Sequence, residues 1–291
     1  MRILVTGKQG YVGTQFEHWM AYYYPEVSVD LISVREPDWE AIDFSQYDTI
    51  LHAAALVHRK ENAESAGEYH EINTELTEKL AFRAKIAGVK HFVFLSTVAV
   101  YGEEGSFEPV GKTIDIDQTP FPTSLYGKSK YEAEKRLHQL ESPDFKVAIV
   151  RPPMIYGPNC PGNYSRLAKL ARKSPIFPAI SGSRSMLFID NLSAFLQKIM
   201  CRRASGVYVP QNQETVNTTQ LVQLIAEVNG GKMLTSKLVG RLCKKILRKH
   251  TIFKKTFGNL VFEMDKTITY RAISFSDSIW KTENKEGVKA R

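Results

Sequence analysis

Tyr126 and Lys130 lie four residues apart in the run Tyr-Gly-Lys-Ser-Lys, so on a helix their side chains are neighbours on one face. A free tyrosine titrates at about pH 10, but a neighbouring ammonium favours the phenolate and lowers that pKa. Such a pair can take the proton of a substrate hydroxyl while a hydride leaves the same carbon. Thr97, which follows an apolar run earlier in the chain, is placed to hydrogen-bond the same oxygen. Together the three predict hydride transfer at a carbinol carbon.

A Tyr and a Lys at this spacing are common by chance, and a glycine-rich turn near the amino terminus gives the pair its weight. The run Thr6–Gly13 follows an apolar strand-like segment and opens a helical one. Its first glycine permits a tight turn, its second lets the backbone approach a diphosphate, and its third lets helix and strand pack closely. The turn therefore predicts a bound dinucleotide, NAD or NADP. The residues that we assign to it are Gly7, Gly10, Tyr11, Val12 and Gly13.

The end of the second predicted strand bears on the choice of dinucleotide. An acid there would bind the adenosine ribose and favour NAD, but the strand ends Ile32-Ser33-Val34-Arg35. Arg35 suits a 2′-phosphate, so NADP is slightly favoured; the alternative is that Arg35 is a solvated surface charge. Asp43 and Phe44 lie where a third strand would offer polar and apolar contacts to adenine.

Short apolar runs alternate with helical patterns through the first half of the chain. Runs rich in β-branched residues predict buried strands at 2–5, 29–33, 49–53, 92–96 and 147–151. Apolar residues at three- and four-residue spacing predict helices at 12–22, 68–88 and 126–140. This order predicts an α/β fold, a Rossmann-type doubly wound parallel sheet with a smaller C-terminal substrate-binding lobe.

After Pro158 the pattern loosens. Helices are expected near 163–173, 191–203 and 218–229, with short strands at 185–189 and 207–209. We predict an NAD(P)-binding Rossmann domain mainly over 1–158 and a substrate-binding lobe mainly over 159–281, interleaved with the first. The polar residues 282–291 are expected to form a flexible tail.

Composition narrows the function classes. With 43% hydrophobic and 24% charged residues, the chain is expected to be globular. Cys160, Cys201 and Cys243 lie far apart without metal-ligand spacing, so we expect no metal site and a reducing, cytoplasmic location. Met1 leads directly into the first strand, and no long apolar run follows, so neither export nor a membrane span is expected.

The net charge of +8, from 39 basic and 31 acidic residues, is concentrated in one segment. The stretch 237–255 holds eight Lys or Arg and no acid, while the rest is nearly neutral, which argues against a nucleic-acid-binding face. Within it Leu238, Leu242 and Ile246 repeat every four residues, as in a basic amphipathic helix. We favour packing of this apolar stripe on the lobe; contact with an anionic membrane surface is the alternative.

Further motifs resemble the extended short-chain dehydrogenase/reductases, and among them the NAD-dependent epimerase/dehydratase group that modifies nucleotide sugars. The resemblance covers most of the chain. Beyond the glycine turn and the Tyr-Lys pair, the runs that carry it are Leu51–Ala55, Asn73, Ser96–Gly102, Arg151–Pro158 and Arg184–Asn191.

The resemblance implies roles for further residues. It implies catalytic roles for Thr97, Tyr126 and Lys130. The other residues that it places at the cofactor are Ala53, Ala54, Pro152 and Pro153. Arg184 is implied to bind the nucleotide diphosphate, a task that suits a rigid cationic fork. Asn163 and His58 look like walls of the sugar pocket, the alternatives being a helix cap and a surface histidine. A homodimer through the helices beginning near Asn73 and Tyr126 is implied in the same way.

Two departures from the family narrow the chemistry. Its sugar 4,6-dehydratases have Asp-Glu directly after the catalytic Thr, but Val98-Ala99 stand here, so dehydration is not expected. Met154 replaces an Asn that holds the substrate phosphate in many 4-epimerases, which moves the pocket toward another specificity.

Two hypotheses stay nearly level. One is a 4-epimerase that oxidises carbon 4 of a UDP-hexose, keeps its cofactor and serves surface polysaccharide synthesis. The other is a 4-ketosugar reductase that exchanges NADPH. A cofactor-binding protein without turnover is a remote third, and the presence of both Tyr126 and Lys130 argues against it.

Overall fold

The structure is a computed structural model and describes residues 1–57, 61–62, 64–103, 105–107 and 113–284. Its strands are β1 Arg2–Thr6, β2 Ser28–Ile32, β3 Thr49–His52, β4 His91–Leu95, β5 Thr113–Ile114, β6 Lys146–Val150, β7 Met154–Tyr156, β8 Ile176–Pro178, β9 Met186–Phe188, β10 Gly206–Tyr208, β11 Leu234–Ser236 and β12 Val261–Phe262. Its α-helices are α1 Tyr11–Tyr23, α2 Ser65–His70, α3 Leu76–Ile86, α4 Leu125–Leu140, α5 Asn163–Lys173, α6 Ile189–Arg202, α7 Thr218–Val228, α8 Lys237–Leu247, α9 Thr251–Phe257 and α10 Phe275–Glu283. A π-helical turn, Glu71–Glu75, joins α2 to α3.

In the described part of the chain, six strands form one parallel sheet in the order β2-β1-β3-β4-β6-β10. Its register pairs Leu4 with Asp30 of β2 on one side and with Ile50 of β3 on the other. Parallel neighbours need crossover connections, and α1, α3, α4 and α6 lie on those crossovers. The predicted Rossmann-type α/β fold is confirmed.

Helices cover both faces of the sheet because successive strand residues point to opposite sides. Ile3 and Val5 pack with Phe16 of α1, and Leu4, between them, packs with Leu80 of α3; all five are fully buried. Burial on both faces explains why these strands are continuous apolar runs rather than alternating ones.

Asp43 and Phe44 do not lie on a strand. Two short 3₁₀ turns, Pro37–Ala41 and Phe44–Gln46, connect β2 to β3 instead. Residues 33–48 are too few for a further helix and strand, since one strand–helix–strand unit takes about thirty residues.

The smaller lobe contains α5, α7, α8 and α9 and the strand pairs β5–β12, β7–β9 and β8–β11. The chain does not stay in this lobe. Between its parts, α6 returns to pack on α1, and β10 pairs with β6 at the edge of the main sheet. The strand predicted at 207–209 therefore belongs to the Rossmann sheet rather than to the lobe.

The prediction of a flexible tail from residue 282 is wrong for its first residues. The helix α10 runs to Glu283, whose side chain is only 3% exposed. Its carboxylate accepts hydrogen bonds from the Tyr164 hydroxyl at 2.9 Å and from Arg172 at 2.7 Å. Residues 282–284 are therefore held against α5, and 285–291 lie outside the described residues.

Candidate active site

The glycine turn packs closely at the carboxyl end of β1. Gly7 has a φ of 97°, which favours glycine, and a Cβ there would lie 3.2 Å from the amide nitrogen of Ala54. Gly10 donates its N–H to the Gly7 oxygen at 2.6 Å, and a Cβ on Gly13 would lie 3.1 Å from that same oxygen. The structure thus brings the three glycines together with the segment Ala53–Ala54. The amino end of α1, which favours anions, starts from this turn.

Two polar side chains tie the strands together beneath the turn. Thr6 Oγ1 lies 2.7 Å from His52 Nδ1 and accepts the Ala54 N–H at 3.3 Å. On its other side, His52 Nε2 lies 2.9 Å from Thr77 Oγ1. Burial, with the nearby charge of Lys130 as a second cause, lowers the pKa of His52 to about 3. His52 is therefore a neutral structural link between β1, β3 and α3.

Tyr11 and Val12 begin α1 and are both half-buried. Among the described residues, the Tyr11 hydroxyl is buried without a hydrogen-bond partner. Burial, and then the neighbouring Cys160 and Asp190, raise the pKa of that hydroxyl. Tyr11 therefore extends from the glycine turn as a neutral phenol toward the loop after β7.

Arg35 is exposed beyond the carboxyl end of β2. The Ile32 oxygen at that end accepts the N–H groups of Gly7 and Lys8, both at 3.0 Å, so the strand adjoins the turn. Arg35 follows Ile32 by three residues, and its N–H donates to Ser33 Oγ at 3.4 Å. Both interpretations of Arg35, a phosphate contact and a solvated charge, are compatible with this position.

Asp43 and Phe44 lie in the connection from β2 to β3, and their assignment to adenine stays a prediction. The Asp43 carboxylate accepts the hydroxyl and N–H of Ser45 at 2.7 and 2.9 Å, which lowers its pKa. Phe44 is 1% exposed, and its ring centroid lies 4.9 Å from the guanidinium of Arg83. The apolar cluster that contains Phe44 also contains Val34, and Ile32 and Ala54 pack against it.

Tyr126 and Thr97 meet where β4 and α4 converge. Ser124 caps α4 by accepting the Gly127 N–H at 3.0 Å, and Tyr126 is the second residue of the helix. The Tyr126 side chain is partly exposed, and its hydroxyl is hydrogen-bonded to the Thr97 side chain. Thr97 Oγ1 also accepts the Ala99 N–H at 3.1 Å, which fixes its position. The structure brings these two predicted residues into contact.

The pKa of Tyr126 departs from our prediction. Burial raises it, the hydrogen bond with Thr97 acts in the opposite direction, and nearby Tyr69 adds to the rise. The Tyr69 ring centroid lies 6.5 Å from that of Tyr126. The expected lowering by Lys130 is absent from these causes, so Tyr126 is a neutral phenol in this structure.

Lys130 is held beneath the site, one helical turn after Tyr126. It is 1% exposed, donates to the Leu95 oxygen at 2.8 Å, and lies 4.3 Å from the Phe94 ring centroid. Burial lowers its pKa to about 7, and the charge of Glu134 acts in the opposite direction. The predicted pair is thus present on one helix face, and burial favours the neutral form of both members.

A buried ionic network below Lys130 was missed by the sequence reasoning. The Glu134 carboxylate accepts from Arg151 at 2.6 and 3.1 Å and from the Ser96 hydroxyl. Arg151 also donates to the Tyr101 hydroxyl at 2.9 Å. Glu134 comes four residues after Lys130 on the buried helix face, and an acid at that spacing was the signal available.

Glu61 was also missed. Its carboxylate accepts the backbone N–H groups of Leu125 and Tyr126 at 2.9 and 3.2 Å, at the amino end of α4. A negative charge is favourable there because the first N–H groups of a helix have no partner within it. No local pattern marks Glu61, since 64 residues separate it from Leu125.

Asn73 links the segment after β3 to the catalytic helix. It lies in the π-helical turn, accepts the Leu56 N–H at 2.8 Å, and donates to Ser129 Oγ at 3.0 Å. Ser129 Oγ in turn donates to the backbone carbonyl oxygen of Tyr126 at 2.9 Å. The family motif at Asn73 therefore serves to position α4.

Pro152 and Pro153 are buried directly after β6. The Pro152 oxygen accepts the Val98 N–H at 3.2 Å, which places this segment beside Thr97. The predicted cofactor contacts Pro152 and Pro153 thus adjoin the reacting residues.

Arg184 lies in the lobe at the end of α9. Its guanidinium donates to the Gly258 oxygen at 2.8 Å and to the Lys254 oxygen at 3.4 Å. Burial lowers its pKa to about 10, so the group stays charged at physiological pH. These contacts fix Arg184 against the basic segment.

Asn163 is the exposed first residue of α5, and Gly162 before it occupies the cap position with a φ of 91°. The alternative that Asn163 caps this helix is therefore wrong. His58 lies outside the described residues. Among the described residues, no cluster of three His, Cys, Asp or Glu side chains could hold a metal ion.

Fold and site together define a class, the extended short-chain dehydrogenase/reductases, with Tyr126 and Lys130 on the helix that follows Thr97. The model of the NAD dependent epimerase/dehydratase family matches residues 3–192, and the chain belongs to this family. The predicted resemblance is confirmed.

Two curated relatives show the range of the similarity. UDP-glucose 4-epimerase of Vibrio cholerae is 33% identical over 187 residues, which cover 61% of this chain and 56% of that enzyme. The N-acetyl-alpha-D-glucosaminyl-diphospho-ditrans,octacis-undecaprenol 4-epimerase of Escherichia coli O157:H7 is 27% identical over 278 residues, 86% of this chain and 80% of the relative. The chain thus spans little more than half the length of the Vibrio relative.

Solved structures support the fold. A UDP-glucuronic acid 4-epimerase from Bacillus cereus in complex with NAD has a TM-score of 0.74 at 18% identity, and the match covers 100% of this chain and 99% of the other. RMD from Pseudomonas aeruginosa, complexed with NADPH, has a TM-score of 0.73 at 19% identity, over 97% and 98% of the two chains. At these identities the likeness shows the fold.

Proposed function

We propose that this protein is an NAD(P)-dependent 4-epimerase of a UDP-hexose that serves surface polysaccharide precursor synthesis in the cytoplasm. The observation that supports this most directly is the hydrogen-bonded pair of Thr97 and Tyr126, one helical turn before buried Lys130. The names of the Vibrio, Escherichia and Bacillus proteins are those of 4-epimerases, which favours this activity over others of the family.

The glycine turn fits a dinucleotide. Its three glycines allow the backbone to pack closely at the start of α1, where the first N–H groups of the helix can bind a diphosphate. We assign to the cofactor Gly7, Gly10, Tyr11, Val12, Gly13, Ala53, Ala54, Pro152 and Pro153, together with Tyr126 and Lys130. The chemistry that NAD(P) would supply when bound is reversible hydride transfer at carbon 4.

The chain's own groups manage the proton. Tyr126 takes the proton of the hydroxyl on carbon 4 and gives it back once the keto sugar has turned, while Thr97 hydrogen-bonds the same oxygen. Because burial raises the pKa of Tyr126, the phenolate needs a nearby positive charge. Lys130, with a pKa of about 7, supplies that charge in its protonated form.

On the substrate side, we assign Arg184 to the diphosphate and Asn163 and His58 to the sugar pocket. The half-buried guanidinium of Arg184 is fixed by two carbonyl oxygens, which preorganises a permanent charge in the lobe. Asn163 is exposed at the start of α5, where its amide is accessible.

The test is Tyr126→Phe, assayed by chromatography against a panel of UDP-hexoses. We expect conversion to fall by about 100-fold or more, the usual contribution of a general acid–base, with folding unchanged. Tyr131→Phe on the same helix is the matched control and is expected to keep its activity. Full conversion by Tyr126→Phe would overturn the catalytic assignment.

A second candidate, a 4-ketosugar reductase, is favoured by the exposed position of Arg35 beyond β2. A reductase releases its oxidised cofactor, whereas an epimerase retains it. Purified protein that carries bound NAD⁺ therefore supports the epimerase, and NADPH consumption with a 4-keto sugar supports the reductase. In the reductase case, Arg35→Ala should raise the Kd for NADPH roughly tenfold and leave that for NADH unchanged.

The carrier of the sugar has a second candidate as well. The Escherichia relative, which matches 86% of this chain, is named for a sugar on diphospho-undecaprenol rather than on a nucleotide. A polyprenyl diphosphate offers the same diphosphate to Arg184. Parallel assays with UDP-linked and polyprenyl-diphosphate-linked N-acetylhexosamine would separate the two carriers by their kcat/KM.

A further inference from the structure

The helix α8 leaves an apolar stripe exposed. Leu238, Leu242 and Ile246 follow one another at four-residue spacing, and their side chains are 75%, 58% and 68% exposed. The helix turns a different side to the lobe: Gly240 is buried, and a Cβ there would lie 2.1 Å from the Ala179 oxygen. Our prediction that the stripe packs on the lobe is therefore wrong.

Cations accompany this stripe and acids do not. The segment 237–255 holds eight Lys or Arg and no Asp or Glu, which equals the whole net charge of +8. Lys237, Arg241 and Lys245 are exposed and share one flank of the stripe at helical spacing. We call the exposed residues of α8, apolar and basic, the α8 face.

Packed aromatic side chains support the α8 face from the inside of the lobe. The next helix, α9, buries Phe253 and Phe257, whose ring centroids lie 4.9 Å apart. The Phe257 ring packs on Phe177 at 5.6 Å, and Lys244 of α8 lies 5.4 Å from the centroid of Phe107. The aromatic side of the segment thus faces inward, which holds its basic and apolar side toward solvent.

Three kinds of partner could cover a basic surface, and the chemistry of the α8 face selects among them. Nucleic acid requires the cations but gains nothing from an exposed leucine stripe. A second copy of the same face would bring two sets of cations together, which is repulsive. An anionic bilayer accepts both features, because the apolar side chains enter the interface while the cations remain among lipid phosphates.

We propose that the α8 face docks this protein on the surface of an anionic phospholipid membrane. Within the described part of the chain, no helix is long and apolar enough to cross a bilayer, so the contact is interfacial. At the amino end of α8, Lys237 and Arg241 line an open cleft of about 440 Å³ with Asn217 and Gln220. This cleft places two cations and the exposed Gln220 amide beside the α8 face; the Asn217 amide already caps α7 and donates to the Ile180 and Gly182 oxygens.

The test is co-sedimentation of the full chain with vesicles of phosphatidylcholine alone or mixed with phosphatidylglycerol. We expect binding to the mixed vesicles that weakens at high salt, and little binding to phosphatidylcholine alone. Two variants examine the two features separately. The charge variant carries Arg241→Glu and Lys245→Glu, and the apolar-stripe variant carries Leu238→Ser, Leu242→Ser and Ile246→Ser. Each variant should lower the vesicle partition coefficient about tenfold or more.

The matched control is Lys90→Glu with Arg202→Glu, which changes the net charge equally at exposed positions of the Rossmann domain. It should bind vesicles like the unaltered protein. Because all the substituted side chains are exposed, each variant is expected to keep its Tm and its sugar conversion in solution. The proposal fails if the unaltered protein does not sediment with anionic vesicles, or if the control loses as much binding as the charge variant. It also fails if added DNA competes with vesicles equally well for the unaltered protein and for the variant with three serines.

Discussion

The charge of Lys130 is unfavourable in its buried position, although the proposed reaction requires it. Burial lowers its pKa from 10.5 to about 7. Between these two values the unfolded chain carries the proton and the folded protein does not. Stability contributed by this residue is therefore present above pH 10.5 and is lost as the pH falls to about 7.

Lys130→Met should expose this cost directly. The variant keeps the bulk of the side chain and removes the charge, so its Tm relative to the unaltered protein should be highest near pH 7 and decline toward pH 10. Between pH 7 and pH 10, the difference in the free energy of unfolding between the variant and the unaltered protein should change by on the order of a few kcal/mol. Activity should be lost at every pH. Differential scanning calorimetry across this range is the measurement, with exposed Lys128→Met as control. A difference in Tm that does not depend on pH would contradict the assignment.

At the scale of elements, the buried pair of Glu134 and Arg151 joins α4 to the end of β6. Their side chains are 1% and 7% exposed, and two hydrogen bonds connect them. Removing one partner of a buried ion pair leaves the other charge uncompensated, whereas removing both does not. The pair therefore helps to hold α4, and with it Tyr126 and Lys130, in position against β6.

Glu134→Gln should lower the free energy of unfolding by about 3 kcal/mol. The double variant Glu134→Gln with Arg151→Met should lose less than this single one, because no unpaired charge stays buried. Urea denaturation monitored by fluorescence gives both values. A double variant as unstable as the sum of the two single ones would show that the two residues act independently.

The elements that the sequence predicted well are those whose signals are local. The strands β1, β3, β4 and β6 are continuous apolar runs because both their faces are buried, and the glycine turn is defined within Thr6–Gly13. The 3₁₀ turn Phe44–Gln46, by contrast, was not marked by any local pattern. Partners distant in the chain were not predictable either, as with Glu61, 64 residues before Leu125.

Periodicity has a related limit, which α8 illustrates. It identified Leu238, Leu242 and Ile246 as one stripe, but the spacing of a helix does not tell which side faces inward. The single buried residue of the helix, Gly240, decides that question through its contact with Ala179. Residue spacing thus gave the face, and only packing gave its direction.

At the scale of the whole molecule, exposed apolar side chains of the described residues lie on different parts of the fold, and two such features bear on partners. The α8 face belongs to the lobe that also carries Arg184, so docking would bring the proposed diphosphate site close to the membrane surface. A second feature lies on α3, where Phe82 and Ile86 are 53% and 71% exposed and one helical turn apart. Since α3 packs on α4, a partner that covered this pair would adjoin the catalytic helix.

We propose that the partner on α3 is a second copy of the chain, as the family resemblance implies for the helices beginning near Asn73 and Tyr126. A twofold contact would bury Phe82 and Ile86 of each copy, and exposed apolar side chains of this size favour such burial. Light scattering coupled to size exclusion should therefore give twice the mass of the chain. Phe82→Glu with Ile86→Glu should shift it to the monomer, because four carboxylates would meet at the axis, while Leu242→Glu on α8 should remain a dimer. If the unaltered protein is a monomer, there is no such interface. If the dimer survives the α3 substitutions, the interface lies elsewhere.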